Sequence, residues 1–315
     1  MHAVSTYFAE LNVAVGAWWN RFWFTPSTAV KVAALRITTG LMALYAVASY
    51  GPDLELWFGE NGMLPLDLIR QLYRPEAQWL GQRSLLDVLP TAAIWPFYWV
   101  SLAVVVLYTL GIGGRVTAIL STIATISFFA RAPLLIGEFE SILTLLMIYL
   151  CIAKSSDALS MTSLWRKSSS LQPPGASLHP LSAANTISIG LIQIHIAVVH
   201  LMMGWGQLAT PEHAWWSGEG IWLAAARPGM SLVDLSGLAN HPRMVAAWSH
   251  AMTLYLLAFP VLAWKPLARP LLLVVGALVW SSFAIASGWV LFCLAMLTGL
   301  AAFVDLPSRP DRRVS

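Results

Sequence analysis

Charge is scarce in this chain. Of its 315 residues only 10% are Asp, Glu, Lys or Arg, against about a quarter in soluble globular proteins. A soluble protein of this length would expose more surface than so few charges keep wet. That shortage excludes a soluble enzyme, a disordered chain and a nucleic-acid binder. Cysteine is nearly missing too: Cys151 and Cys293 both sit in apolar runs, so there is no disulfide framework and no thiol motif. Lysine is confined to Lys31, Lys154, Lys167 and Lys265. The first 24 residues carry Glu10 and lack a charged region ahead of an apolar core, so they do not read as a secretory signal. No fixed-period repeat is visible, which removes the usual support for an inverted-repeat transporter.

What fills the space is apolar. Hydrophobic residues make up 58% of the chain, mean hydropathy is +0.69, and there are 16 Trp, the amphipathic aromatic that settles at bilayer interfaces. A helix needs about 20 mostly apolar residues to cross the hydrocarbon core. Scanning on that basis gives Val30–Tyr50, Ala93–Gly113, Val116–Arg131, Gly137–Ala153, Ile187–Trp205, Val245–Trp264, Leu267–Ser287 and Gly288–Val304. The third and fourth are short and divided by Arg131-Ala132-Pro133, as a broken hairpin would be; the last two are divided only at Ser287-Gly288. The expected fold is an all-α polytopic transmembrane helical bundle of about eight spans, with amphipathic interfacial helices.

Tyr7, Leu11, Val15, Trp18 and Phe22 recur at three- and four-residue steps, which predicts a helix within residues 1–28 lying along the membrane interface. Residues 29–305 form the transmembrane domain, interrupted by a Ser- and Pro-containing linker over 154–185 and followed by a tail over 306–315. Charges between the spans sort by side. Alternation assigns Arg21, Lys31, Arg115, Lys154, Arg166, Lys167, Lys265, Arg269, Arg309, Arg312 and Arg313 to one side, and Arg70, Arg74, Arg83, Arg131, Arg227 and Arg243 to the other. The second side also holds most of the acids. By the positive-inside rule the first side, with both termini, is cytoplasmic, and the expected location is a membrane of the bacterial inner-membrane type. The +3 net charge is then a topology signal and says nothing about partners.

Two extracytoplasmic loops, 51–92 and 206–244, are long, charged and rich in Trp, and long non-lipid segments on one side of a bundle tend to carry function. The simplest reading lets their short helices float on the outer leaflet with Trp anchors. The chain here resembles a known family. Arg36 inside the first span followed by "GPDLELWFGENGMLP", then "RAPLLIGEFESILTLLMIYLCI" with "DALSM", then "LIQIHIAVVHLMMGWGQL" with "HAWWSGEGIWLA", together resemble the horizontally transferred transmembrane (HTTM) domain proteins, the group that includes the vitamin K-dependent gamma-carboxylases. The resemblance runs over about residues 15–305. It implies a helical bundle with an outer face built from the two loops, and a quinone as cofactor.

Titratable groups inside a span are costly and mark candidate sites. In the fifth expected span Gln193, Ala197, His200, Gly204 and Gln207 step by four, three, four and three and share one face. His195 lies five residues before His200, about 140° away, so the two are not a metal pair. The bland reading makes His200 interhelical glue. In the carboxylase branch the resemblance puts a base lysine at Gln207 and an aromatic at His200. An amide cannot take a proton, so glutamate carboxylation is not expected, and His200 is the nearest alternative base. The candidate catalytic pair is His200 and Glu138. The candidate ligand-binding residues are His195, Gln207, Trp215, Trp216, Trp222, Glu140, His250 and Arg131, facing a lipophilic, quinone- or lipid-like ligand. Arg131 has Glu138 or Glu140 as a near partner, and Arg36 has a helix end or the interface to snorkel to. A metal held by His200, His250 and Glu138 is conceivable, but no spacing requires it. Two functions stay open: an enzyme lacking the family lysine, and a non-catalytic lipid- or quinone-binding or assembly partner.

Overall fold

A computed structural model describes residues 2–60, 62–65, 67–68, 84–168, 181–209, 214–226 and 232–305. Arg70, Arg74, Arg83, His213, Glu212, Arg227, most of the expected linker and the 306–315 tail lie outside them. Among the described residues the chain is all helical, with a single isolated bridge between Ser27 and Ser182. Five helical stretches are long and apolar enough to cross a bilayer: Val30–Ser49, Thr91–Leu110, Ala183–Ala209, Pro242–Leu262 and Arg269–Ser287. The protein is therefore a multi-pass integral membrane protein. The other three expected spans form shorter or less apolar helices, Gly114–Arg131 with 18 residues, Glu138–Leu150 with 13 and Val290–Ala301 with 12. Eight full-length crossings are thus not what the helix lengths give.

The chain divides into two compact units, Met1–Ile192 and Gln193–Ser315. The first contains α1 (His2–Phe24), α2 (Val30–Ser49), α3 (Leu54–Phe58), α4 (Ile94–Leu110), α5 (Gly114–Arg131), α6 (Glu138–Leu150), α7 (Met161–Ser168) and the start of α8 (Ala183–Ala209). Helix α2 is the hub, packed on α4, α5 and α6. The ends of the bundle are fixed by two buried arginines. At one end Arg36, on α2, gives its Nη1 to the carbonyls of Ser155 and Ala158 and its Nη2 to that of Leu159, at 2.6 Å. It is 1% exposed, so it holds the turn after α6 instead of snorkelling to the interface.

At the opposite end Arg131 closes α5. Its Nε lies 3.5 Å from Asp87 Oδ1 and its guanidinium stands 5.8 Å over the Phe58 ring. Neither Glu138 nor Glu140 is its partner, contrary to the expectation from proximity in sequence. Those two occupy the first turn of α6, where acids complement the positive helix end, and Glu140 turns back to accept the Gly137 N–H at 2.8 Å. Helix α5 thus runs from the Arg36 end to the Arg131 end and α6 returns beside it. The described parts of the 51–92 loop pack onto the bundle. Leu54, Phe58, Leu64 and Leu86 are buried with Tyr50, Tyr98 and Phe128 in one cluster, and Ser84 gives its hydroxyl to the Ser127 carbonyl at 2.6 Å.

Asp87→Asn tests that end. It removes the carboxylate facing a buried guanidinium and weakens the cap on Ser84, whose N–H Asp87 accepts at 3.1 Å. Because Asp87 keeps 24% of its side chain exposed, we expect a loss of about 2 kcal/mol, below the 3–5 of a fully buried pair. Equilibrium unfolding in mixed micelles measures it.

The second unit contains the rest of α8, α9 (Gly220–Ala225), α10 (Pro242–Leu262), α11 (Arg269–Ser287) and α12 (Val290–Ala301). Helices α11 and α12 form a tight hairpin turned at Gly288, whose φ of 73° is the left-handed conformation that glycine adopts without strain.

Candidate functional site

The stripe on α8 is present and lies inside the second unit. Gln193 gives its Nε2 to the Ala302 carbonyl at 2.9 Å, and Gln207 Oε1 accepts the Thr253 hydroxyl at 2.7 Å. Between them Gly204 lets Leu257 of α10 come so close that a Cβ would stand 2.9 Å from its Cδ2. On α12, Gly299 receives Ile196 in the same way. These small residues are where backbones approach closely enough for van der Waals packing to hold membrane helices together.

His200 is fully buried at the centre of the stripe. Its ring stacks on Phe259 at 4.2 Å and meets Tyr255 and Trp280 edge-on, each at 5.6 Å. Nδ1 lies 2.7 Å from the Ile196 carbonyl, and Trp280 Nε1 approaches Nε2 at 3.4 Å, a long hydrogen bond. A carbonyl only accepts, so Nδ1 carries the proton. An indole N–H only donates, so Nε2 presents its lone pair to it. Both ring nitrogens are engaged, Phe259 covers one face, and Tyr255 and Trp280 close in edge-on. A general base needs a lone pair within reach of a substrate proton, and in this arrangement His200 offers none.

Residues 214–225 of the same unit are fastened to α10. Ser249 gives its hydroxyl to the Gly218 carbonyl at 3.0 Å and accepts the Ile221 N–H at 3.1 Å. His250 Nε2 donates to the Trp216 carbonyl at 2.9 Å. Gly218, at φ +90°, lies directly on Ala246. Trp215 is half-buried over Gly220, Trp222 is half-buried, and Trp216 is 69% exposed. His250 is exposed and occupied with the loop, whereas His200 is enclosed with Trp280, so the two histidines do not meet. His195 is half-buried on another face of α8.

Glu138, Glu140 and Arg131 belong to the first unit. Glu138 is exposed at the start of α6. That unit also carries an open cleft of about 460 Å³ lined by Glu55, Gly59, Glu60, Thr91 and Trp95 among others, with Trp95 Nε1 donating to Glu55 Oε1 at 2.7 Å. Its wall combines the carboxylates of Glu55 and Glu60 with the apolar side chains of Leu56, Ile94 and Trp95. Among the described residues no three of His, Cys, Asp or Glu converge as a metal would need.

Several residues that organise these sites escaped the sequence reading. Ser249 and Thr253 stand four apart on an otherwise apolar helix, next to His250, a signal that was there to be used. Trp280 carried none, because an indole in an apolar run reads as a belt residue. No family model, curated protein or solved structure matches the chain.

Outside the spans, Asp234 Oδ1 accepts the Ser236 N–H at 2.8 Å. That bond, with one from the Ser236 hydroxyl, holds the carboxyl below its ordinary value. A group lowered in this way steadies the turn above its unfolded value and stops doing so as pH falls through its folded value. Exchange of the Ser236 amide, corrected for its intrinsic rate, should therefore quicken below about pH 4, and Asp234→Ala should abolish that dependence.

Proposed function

We propose that the chain is a non-catalytic membrane protein of the HTTM type, with both termini cytoplasmic in a bacterial inner-membrane setting, that binds lipid-like molecules or serves as an assembly partner. The carrying observation is the state of the α8 stripe. His200 has both nitrogens committed to Ile196 and Trp280, and Gln207 is tied to Thr253. Gln207 joins α8 to α10 through Thr253, and His200 joins α8 to α11 through Trp280 while its other nitrogen bonds back to its own helix at Ile196.

The test is direct. Full-length protein in nanodiscs is incubated with a reduced naphthoquinol and bicarbonate, alongside His200→Gln and empty nanodiscs. The proposal expects the three samples to convert quinol equally. Conversion above the empty nanodiscs that is lost in His200→Gln overturns it and restores the enzyme reading.

A further inference from the structure

We propose that the segment from Leu159 to Trp165 is an interfacial anchor that seats in a bilayer surface and recruits anionic lipid head groups. The inference is independent of the reading of the second unit, because every residue it uses lies in the first.

The segment is amphipathic the wrong way round for water. Ser160 and Ser163 cap helix α7 reciprocally: the Ser163 N–H donates to Ser160 Oγ at 2.9 Å and the Ser160 N–H to Ser163 Oγ at 3.2 Å. The Ser160 hydroxyl goes inward to the Ser156 carbonyl and the Thr162 hydroxyl to that of Gly111. Leu159 is held from behind, its carbonyl bound by Arg36. With the polar side chains turned toward the protein, the apolar ones face out: Leu159, Met161, Leu164 and Trp165 are 56%, 38%, 55% and 62% exposed. Met161, Leu164 and Trp165 follow the i, i+3, i+4 spacing of one helix face. Clustered apolar exposure of this kind marks an interaction surface, and in a chain whose helices cross a bilayer the surface at hand is lipid.

Depth and charge agree. The segment sits at the end of the bundle where α4 ends and α5 begins, held there by the Thr162 bond to Gly111. That end is basic: Lys154 is exposed, Arg115 binds the Ile152 carbonyl, and Arg166 and Lys167 follow Trp165 in the chain. An apolar helix face flanked by basic residues is the pattern of helices that lie in the interface and attract anionic lipid.

The test uses full-length protein, with Cys151→Ser and Cys293→Ala, spin-labelled at Leu164→Cys or, as a second site, Met161→Cys. It is reconstituted in phosphatidylcholine vesicles with and without phosphatidylglycerol. Collision with oxygen should exceed collision with a water-soluble nickel complex at both sites. Native mass spectrometry of the unlabelled protein should show retained phosphatidylglycerol, falling about fivefold for each charge removed in Lys154→Gln and Lys167→Gln. Nickel-dominated collision at both sites would mean that water or protein faces the helix, and would overturn the anchor. Phosphatidylglycerol retention unchanged in Lys154→Gln/Lys167→Gln would overturn the head-group preference.

Discussion

Arg36→Leu should destabilise the first unit by about 3–5 kcal/mol. Charge-assisted hydrogen bonds contribute about 1.5–3 kcal/mol each, and a buried acceptor left without a donor costs about 1–3. Here one guanidinium serves the carbonyls of Ser155, Ala158 and Leu159. Among the described residues no carboxylate shares the work, so leucine leaves three carbonyls facing apolar surroundings. The turn they belong to already holds Leu159 at φ 45°, a conformation that is costly for a residue with a branched side chain and persists only where its surroundings impose it. Losing Arg36 should let Leu159 relax and the 155–160 turn open. Unfolding in mixed micelles gives the magnitude, and exchange of the Ser160 and Ser163 amides gives the place. A near-neutral result would mean that Arg36 snorkels after all.

The second large effect is expected at Gly218→Val. Its φ of +90° is strained for any residue with a Cβ, and that Cβ would stand 2.7 Å from the backbone Cα of Ala246. A helix backbone cannot give way as a flexible side-chain end can, so the segment must lift. Lifting breaks the Ser249–Gly218, Ile221–Ser249 and His250–Trp216 bonds together. A loss of about 3 kcal/mol or more follows from the conformation and the lost contacts combined. It would appear as an increase of over a hundredfold in exchange at the Ile221 amide. Gly206→Ala, where an added Cβ meets nothing within 4 Å, should leave that amide unchanged.

How far the sequence reaches can be judged at particular residues. The polar stripe on α8 was legible because a four-three-four-three spacing has one geometric meaning on a helix, and Gln193, His200 and Gln207 all bond on that face. The partner of His200 was not legible, since Trp280 lies 80 residues further on in a run without polar punctuation. Arg36 announced itself as a costly residue in a span, but backbone carbonyls leave no mark in a sequence, so the cage around it did not. At Arg131 proximity misled: Glu138 and Glu140 are close along the chain, yet a helix N-terminus claims them, and the carboxylate that reaches Arg131 comes from the loop before α4. The expected 154–185 linker hid a folded piece. The Ser160–Ser163 cap is a two-residue signal inside a serine-rich stretch, and it starts a helix where composition alone suggests slack chain.

The central claim is that His200 is a structural residue with neither nitrogen free. Solid-state NMR on the protein in lipid bilayers, with labelled histidine and tryptophan, reads it directly. The structure predicts the Nδ1–H tautomer for His200 and a through-space correlation between its Nε2 and the indole N–H of Trp280. An Nε2–H tautomer, or an Nε2 without the Trp280 correlation, would contradict the account and return His200 to the list of candidate bases.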